Sequence, residues 1–118
     1  MNNTLQHNQK YKLLEHESKL VDDTTLYRII AIRSFGDITK GDKGGFIEKE
    51  SNLSHNDNAW VYDNARVSDN ARVFGNAWVS GDAQVYDNAW VYDNARVFGN
   101  ARVYGDAQVS GNAWVFGN

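Results

Sequence analysis

"NARVFGNARVYGDAQVSGNAWVFGN", residues Asn94–Asn118, says one six-residue phrase four times and begins a fifth. Followed backwards, the frame holds without a slip to Asn58: NAWVYD, NARVSD, NARVFG, NAWVSG, DAQVYD, NAWVYD, then the four phrases quoted. A fixed short period marks a stacked architecture and outranks local propensity. Val fills the fourth place of all ten hexads and Ala the second. β-Branched Val favours extended backbone, and alternation along a strand puts Ala and Val on one face and their neighbours on the other. The Asp or Gly that closes each hexad and the Asn or Asp that opens the next are residues that tolerate tight corners.

A short strand and a corner, repeated, make a coil, and three corners per turn make a prism with 18 residues per turn. The reading is an all-β fold: a left-handed parallel β-helix, three hexads per coil, with an N-terminal antiparallel β cap. It divides the chain into a flexible tail (1–10), a β-strand cap module (11–51) and the hexapeptide-repeat helix (52–118). The pattern resembles the hexapeptide-repeat family, whose motif of an aliphatic residue followed four places later by a small one is Val then Ala here. The phrase Gly41-Asp42-Lys43-Gly44-Gly45-Phe46-Ile47-Glu48 ahead of the repeat extends the resemblance to phage and prophage proteins that join a "GD-x-GGFIE" module to such repeats. That resemblance implies a phage-like origin and supplies no activity.

Columns follow from the period. Face one carries Trp60, Trp78, Arg96 and Trp114 beside Tyr62, Ser80, Phe98 and Phe116. Face two carries Arg66, Gln84 and Arg102 beside Ser68, Tyr86 and Tyr104. Face three carries Arg72, Trp90 and Gln108 beside Phe74, Tyr92 and Ser110. Face one is the aromatic one, with Arg96 set for cation–π contact between Trp78 and Trp114. An apolar strip with Trp, Tyr and Arg reads as a partner surface, and the competing reading is a ladder that only stabilises the stack. Asn ladders at the corners are expected to add amide hydrogen bonds. The corners also gather Asp69, Asp87 and Asp106, a weak cation-binding possibility against a solvated corner.

Ahead of the repeat, "YKLL", "SKLV" and the run Leu26–Phe35 read as strands separated by polar turns, the last of them central. Gly41, Gly44 and Gly45 read as turn markers, and "GDKGG" lacks the spacing of a phosphate loop. Ile47 and Leu53, six apart, begin an imperfect first coil, and the eight residues from Leu53 to Val61 put two extra residues into it.

Composition narrows the chemistry. The 118 residues carry no Cys and no Pro. No disulfide, thiolate nucleophile or Cys-based zinc site is possible. The repeat has four Arg (Arg66, Arg72, Arg96, Arg102) against seven Asp. That is not a duplex-binding footprint, so direct nucleic-acid binding is not expected. No apolar run spans a membrane, and "MNNTLQHNQK" lacks a signal-peptide core, which predicts a cytoplasmic protein.

A hexapeptide-repeat acyltransferase is the enzyme alternative. The resemblance implies a trimer, acetyl-CoA held between prisms and a histidine base. His7 falls in the tail, His16 in the first turn and His55 in the irregular stretch before the repeat. His55 with Asp57 is the only conceivable acid–base pair. The expectation is therefore no catalytic residue, no metal and no cofactor. The function expected is a non-enzymatic interaction scaffold directed at a host protein, a defence nuclease of the CRISPR type being one target class. A structural module of a phage particle is a further alternative. Homo-oligomers are expected either end to end, through Trp114, Val115 and Phe116, or as a trimer through face one.

Overall fold

The computed structural model describes residues 9–117; residues 1–8, most of the expected tail, lie outside it. Two long strands, β1 (Tyr11–Val21) and β2 (Thr24–Ala31), form an antiparallel hairpin, and β3 (Lys43–Ile47) follows. The repeat supplies β4 (Trp60–Val61), β5 (Arg66–Val67), β6 (Arg72–Val73), β7 (Trp78–Val79), β8 (Gln84–Val85), β9 (Trp90–Val91), β10 (Arg96–Gly99), β11 (Arg102–Val103), β12 (Gln108–Val109) and β13 (Trp114–Gly117). These make three sheets, β1-β2-β3-β5-β8-β11, β4-β7-β10-β13 and β6-β9-β12. The protein is a parallel β-solenoid of about four turns with an antiparallel hairpin at its N-terminal end.

The register is the one the period predicts. Val61 pairs with Val79, Val79 with Val97 and Val97 with Val115. The Val and Ala columns are the core, with Val61 through Val97 and Ala59 through Ala95 fully buried. A buried Val contributes about 1.5–3 kcal/mol by area. The first coil is longer, as the spacing predicts: Ile47 pairs with Val67 and Leu53 bridges Val73, offsets of 20 rather than 18.

The corners are built on the hexad's last place. Asp63, Asp69, Asp87 and Asp93 have φ of 58–62° there, and Gly75 has φ 72°. This left-handed backbone suits Asp and Gly. Each Asp carboxylate then accepts from the corner amide one coil on: Asp63 from Gly81 N at 3.1 Å, Asp69 from Asp87 N at 3.1 Å, Asp93 from Gly111 N at 3.2 Å. The Asn ladder is present too, with Asn76 Nδ2 donating to Asn94 Oδ1 and Asn94 Nδ2 to Asn112 Oδ1, both at 3.3 Å.

The hairpin departs from expectation in four ways. "YKLL" and "SKLV" belong to one strand, because Glu15, His16 and Glu17 bulge from β1 between Leu14 and Ser18 instead of turning. Glu17 in that bulge holds Lys43 at 2.6 Å and Arg28 at 3.4 Å. β2 stops at Ala31, and Phe35 leaves the sheet to pack on Trp60. Gly44 and Gly45 are not turn residues: both lie in β3, where a Cβ would meet Val61 O at 2.4 Å and Ala65 O at 2.6 Å. Glycine lets β3 lie flush on the next coil, and Gly41, with φ 97°, makes the turn. Finally Lys10, assigned to the tail by composition, is buried at the junction.

Candidate functional site

Face one is the sheet β4-β7-β10-β13, and alternation turns its Trp and Arg side chains outward. Trp60, expected at the head of the exposed column, is only 1% exposed. Tyr11 at 6.2 Å and Phe35 at 5.3 Å pack on its ring, so the cap has converted this position to core. The usable face begins one coil later. Arg96 lies over Trp78 at 4.2 Å and faces Trp114 at 5.7 Å. Tyr62 tilts against Trp78 at 5.4 Å, and Phe98 meets Trp114 edge-on at 6.0 Å. Phe98 also stacks on Phe116 at 5.2 Å. Burial first, and then Asp37, raise the Tyr62 pKa.

Exposure rises along the column. Trp78 and Phe98 are half-buried, whereas Trp114 is 60% and Phe116 66% exposed. The coil of residues 101–117 also leaves Val109 and Val115 half-covered, unlike the equivalent valines behind them. The exposed Trp114 and Phe116 thus lie beside a partly exposed core valine, Val115. Exposed patches of this kind mark partner sites when Trp, Tyr and Arg anchor them.

Aromatic ladders are not confined to face one. Phe74 stacks on Tyr92 at 4.9 Å with Trp90 edge-on at 5.8 Å, and Tyr86 stacks on Tyr104 at 5.4 Å. Cross-strand stacking therefore stabilises all three faces, and face one is distinguished by its guanidinium held between indoles.

The conceivable acid–base pair does not form. His55 stacks on Tyr11 at 4.1 Å, its Nδ1 accepts from Lys10 N at 3.1 Å, and its Nε2 lies 3.1 Å from Glu50 Oε1. An accepting Nδ1 places the proton on Nε2, toward Glu50. Burial lowers the His55 pKa against the opposing pull of Glu50. Asp57 is engaged elsewhere: it accepts from Ser54 Oγ and from Gly75 N, and lies 3.7 Å from Lys10 Nζ. Lys10 Nζ donates to Asp57 O at 2.8 Å and Ala59 O at 2.5 Å. Its burial brings the pKa down to about 8, with Asp57 opposing. These are the fastenings of the cap. Asn52, buried beside them, accepts from Glu48 N and Lys49 N and donates to Ala71 O.

The acidic corner is likewise occupied by the fold. Asp69 and Asp87 stack as the period predicts, but their carboxylates accept from Asp87 N and Gly105 N, and Asp106 Oδ1 accepts from Asn88 Nδ2 at 3.5 Å. Among the described residues no group of three or more His, Cys, Asp or Glu side chains is placed to hold a metal ion. No helix among them is long and apolar enough to cross a membrane.

Comparison with known families finds the β-solenoid again. The family described as YdcK Beta solenoid repeat matches residues 65–81, 83–97, 89–105 and 95–111. Over those residues the repeat is similar to the β-solenoid repeat of that family. No curated protein matches the chain.

Proposed function

We propose that this protein is a non-enzymatic interaction scaffold whose working surface is the exposed part of face one, continuous with the coil of residues 101–117. The observation that carries it is the column Trp78–Arg96–Trp114 with Phe98 and Phe116 beside it, a pre-ordered Arg between two indoles opening onto two strongly exposed aromatics. Aromatic side chains and a stacked Arg lose little conformational freedom on binding, which is why such groups anchor interfaces. The occupation of both His55 nitrogens by Lys10 and Glu50 supports binding over general-base catalysis. The same surface, with Trp114, Val115 and Phe116, serves self-association in this reading. A phage- or prophage-encoded protein acting in the host cytoplasm on a host factor is the finer form of this reading, and it rests on the "GD-x-GGFIE" resemblance.

Replacing Trp114 and Phe116 together by Ser tests it. We expect the wild-type chain to assemble, or to capture one stoichiometric protein from bacterial lysate. The variant loses that association while its β-solenoid circular dichroism is unchanged. Association that survives the double substitution assigns the interface elsewhere. Saturable acetyl-CoA binding with turnover lost in His55→Ala replaces the scaffold by the acyltransferase.

A further inference from the structure

The repeat separates its charges. Five carboxylates, Asp57, Asp63, Asp69, Asp87 and Asp93, accept from corner amides one coil on. The four arginines lie on the faces, and none forms an ion pair among the described residues. A chain of net charge −3 therefore presents cations without carboxylate partners on its flat sides, Arg96 among them stacked between indoles.

Two of those cations share one groove. Arg66, Gln84 and Arg102 stand in register on successive strands of face two. Strand spacing of about 4.8 Å puts the two arginine backbones roughly 10 Å apart, within joint reach of one small ligand. The β1–β2 hairpin projects beside them. Its tip, turned by Asp22 and Asp23 with φ of 50° and 70°, closes one side of a groove of about 470 Å3. Arg66 and Arg102 line it with four further hydrogen-bonding side chains, Thr24, Ser68, Gln84 and Tyr86. Two carboxylates reach it. Asp69 is engaged by Asp87 N, and Asp22 lies at the exposed hairpin tip.

Two further cations lie near Arg66. Lys19 and Arg28 bracket the Phe46 ring at 4.3 and 4.4 Å, and Phe46 is in register with Arg66. Glu17 pairs with Arg28 but not with Lys19. Burial first, and then the charges of Arg66 and Arg28, lower the Lys19 pKa against the pull of Asp82.

We infer that this groove binds a small polyanion of the phosphate type, two linked oxyanion groups bridging Arg66 and Arg102. Guanidinium forks match phosphate oxygens bidentately, and Ser68, Gln84 and Tyr86 supply neutral donors between them. The site is on a different face from the proposed partner surface and stands without it.

Calorimetric titration of the full chain with inorganic pyrophosphate tests the assignment. Saturable one-to-one binding is expected, weakened about tenfold or more by Arg66→Gln and by Arg102→Gln, as loss of a charge-assisted contact predicts. Arg66→Lys keeps the charge, loses the fork and falls between. Arg72→Gln, on face three, leaves binding unchanged. Heat that does not saturate, or an equal loss in Arg72→Gln, overturns the site. Orthophosphate binding as tightly as pyrophosphate overturns the two-group bridge, and succinate binding as tightly overturns the phosphate class.

Discussion

Trp60 and Trp114 stand in one column of one sheet, three coils apart, and live in different solvents. The first is 1% exposed beneath Tyr11 and Phe35; the second is 60% exposed. Their hexads, NAWVYD and NAWVFG, are the same through the valine and differ only in the last two places. What differs is the neighbouring coil position. At the N-terminal end the hairpin, Phe35 and the Lys10–His55 fastening cover the apolar cross-section of the solenoid. Among the described residues Trp114 has Phe98 edge-on at 6.0 Å and Arg96 at 5.7 Å, and no such cover. The repeat decides where a side chain points, and its neighbours decide whether that direction is core or surface.

The sharpest way to break this comparison is to truncate both tryptophans. Trp60→Ala should cost about 3–5 kcal/mol, the range for a buried aromatic. Trp114→Ala should cost no more than about 1 kcal/mol, because most of its surface is already wet. Urea denaturation measures both, and equal losses contradict the assignment of Trp60 to the core. Next comes the seam. Gly45→Ala drives a Cβ toward Ala65 O and Val61, and should cost about 2–3 kcal/mol by overpacking. Gly105→Ala meets nothing within 4 Å and should cost only about 1 kcal/mol, for its φ of 66°. A thermal melt of each variant ranks them, and the reverse order removes the flush-packing account.

Titration probes the fastening. Lys10 titrates at about 8 in the fold against 10.5 when free, so the folded state holds fewer protons between those values. Stability should therefore rise from pH 8 towards 10, by at most about 1.4 kcal/mol per pH unit. Above pH 10 Tyr11 works the other way, because burial raises its pKa and ionisation then favours unfolding. His55, with its pKa lowered, gives stability that is present above pH 6.5 and lost as acid protonates the ring. Chemical denaturation across pH reads all three, and the alkaline rise should vanish in Lys10→Met. A rise that persists in that variant comes from another group. The smallest effect belongs to the corners: Asn94→Ala removes one rung of an exposed amide ladder, about 0.5–1 kcal/mol.

The solenoid was legible because ten hexads repeat one instruction, and the two extra residues between Leu53 and Val61 showed the first coil's irregularity before any coordinate. The aromatic column of face one, with Arg96 between Trp78 and Trp114, was legible for the same reason. The cap was read only as strands. Gly44 and Gly45 look like turn residues when their use is the close approach of β3 to Val61 and Ala65, a tertiary fact with no local signature. Lys10 looks like part of a polar tail because composition cannot see that two carbonyls and Asp57 wait for it. Trp60 looks like a surface residue because periodicity sets direction and not cover. The face-two groove has no local signature because one of its walls is a hairpin far away in sequence.

The corner bonds, in which a carboxylate of one coil holds an amide of the next, carry a consequence for length. The corner carboxylates and the Val and Ala columns recur every 18 residues, so removing or inserting one whole coil leaves the corner and core contacts intact and changes only how many there are. The solenoid is thus a ruler graduated in steps of about 4.8 Å, one strand spacing per coil. The length of the prism can be reset in those quanta while its corners and its Val and Ala core are kept.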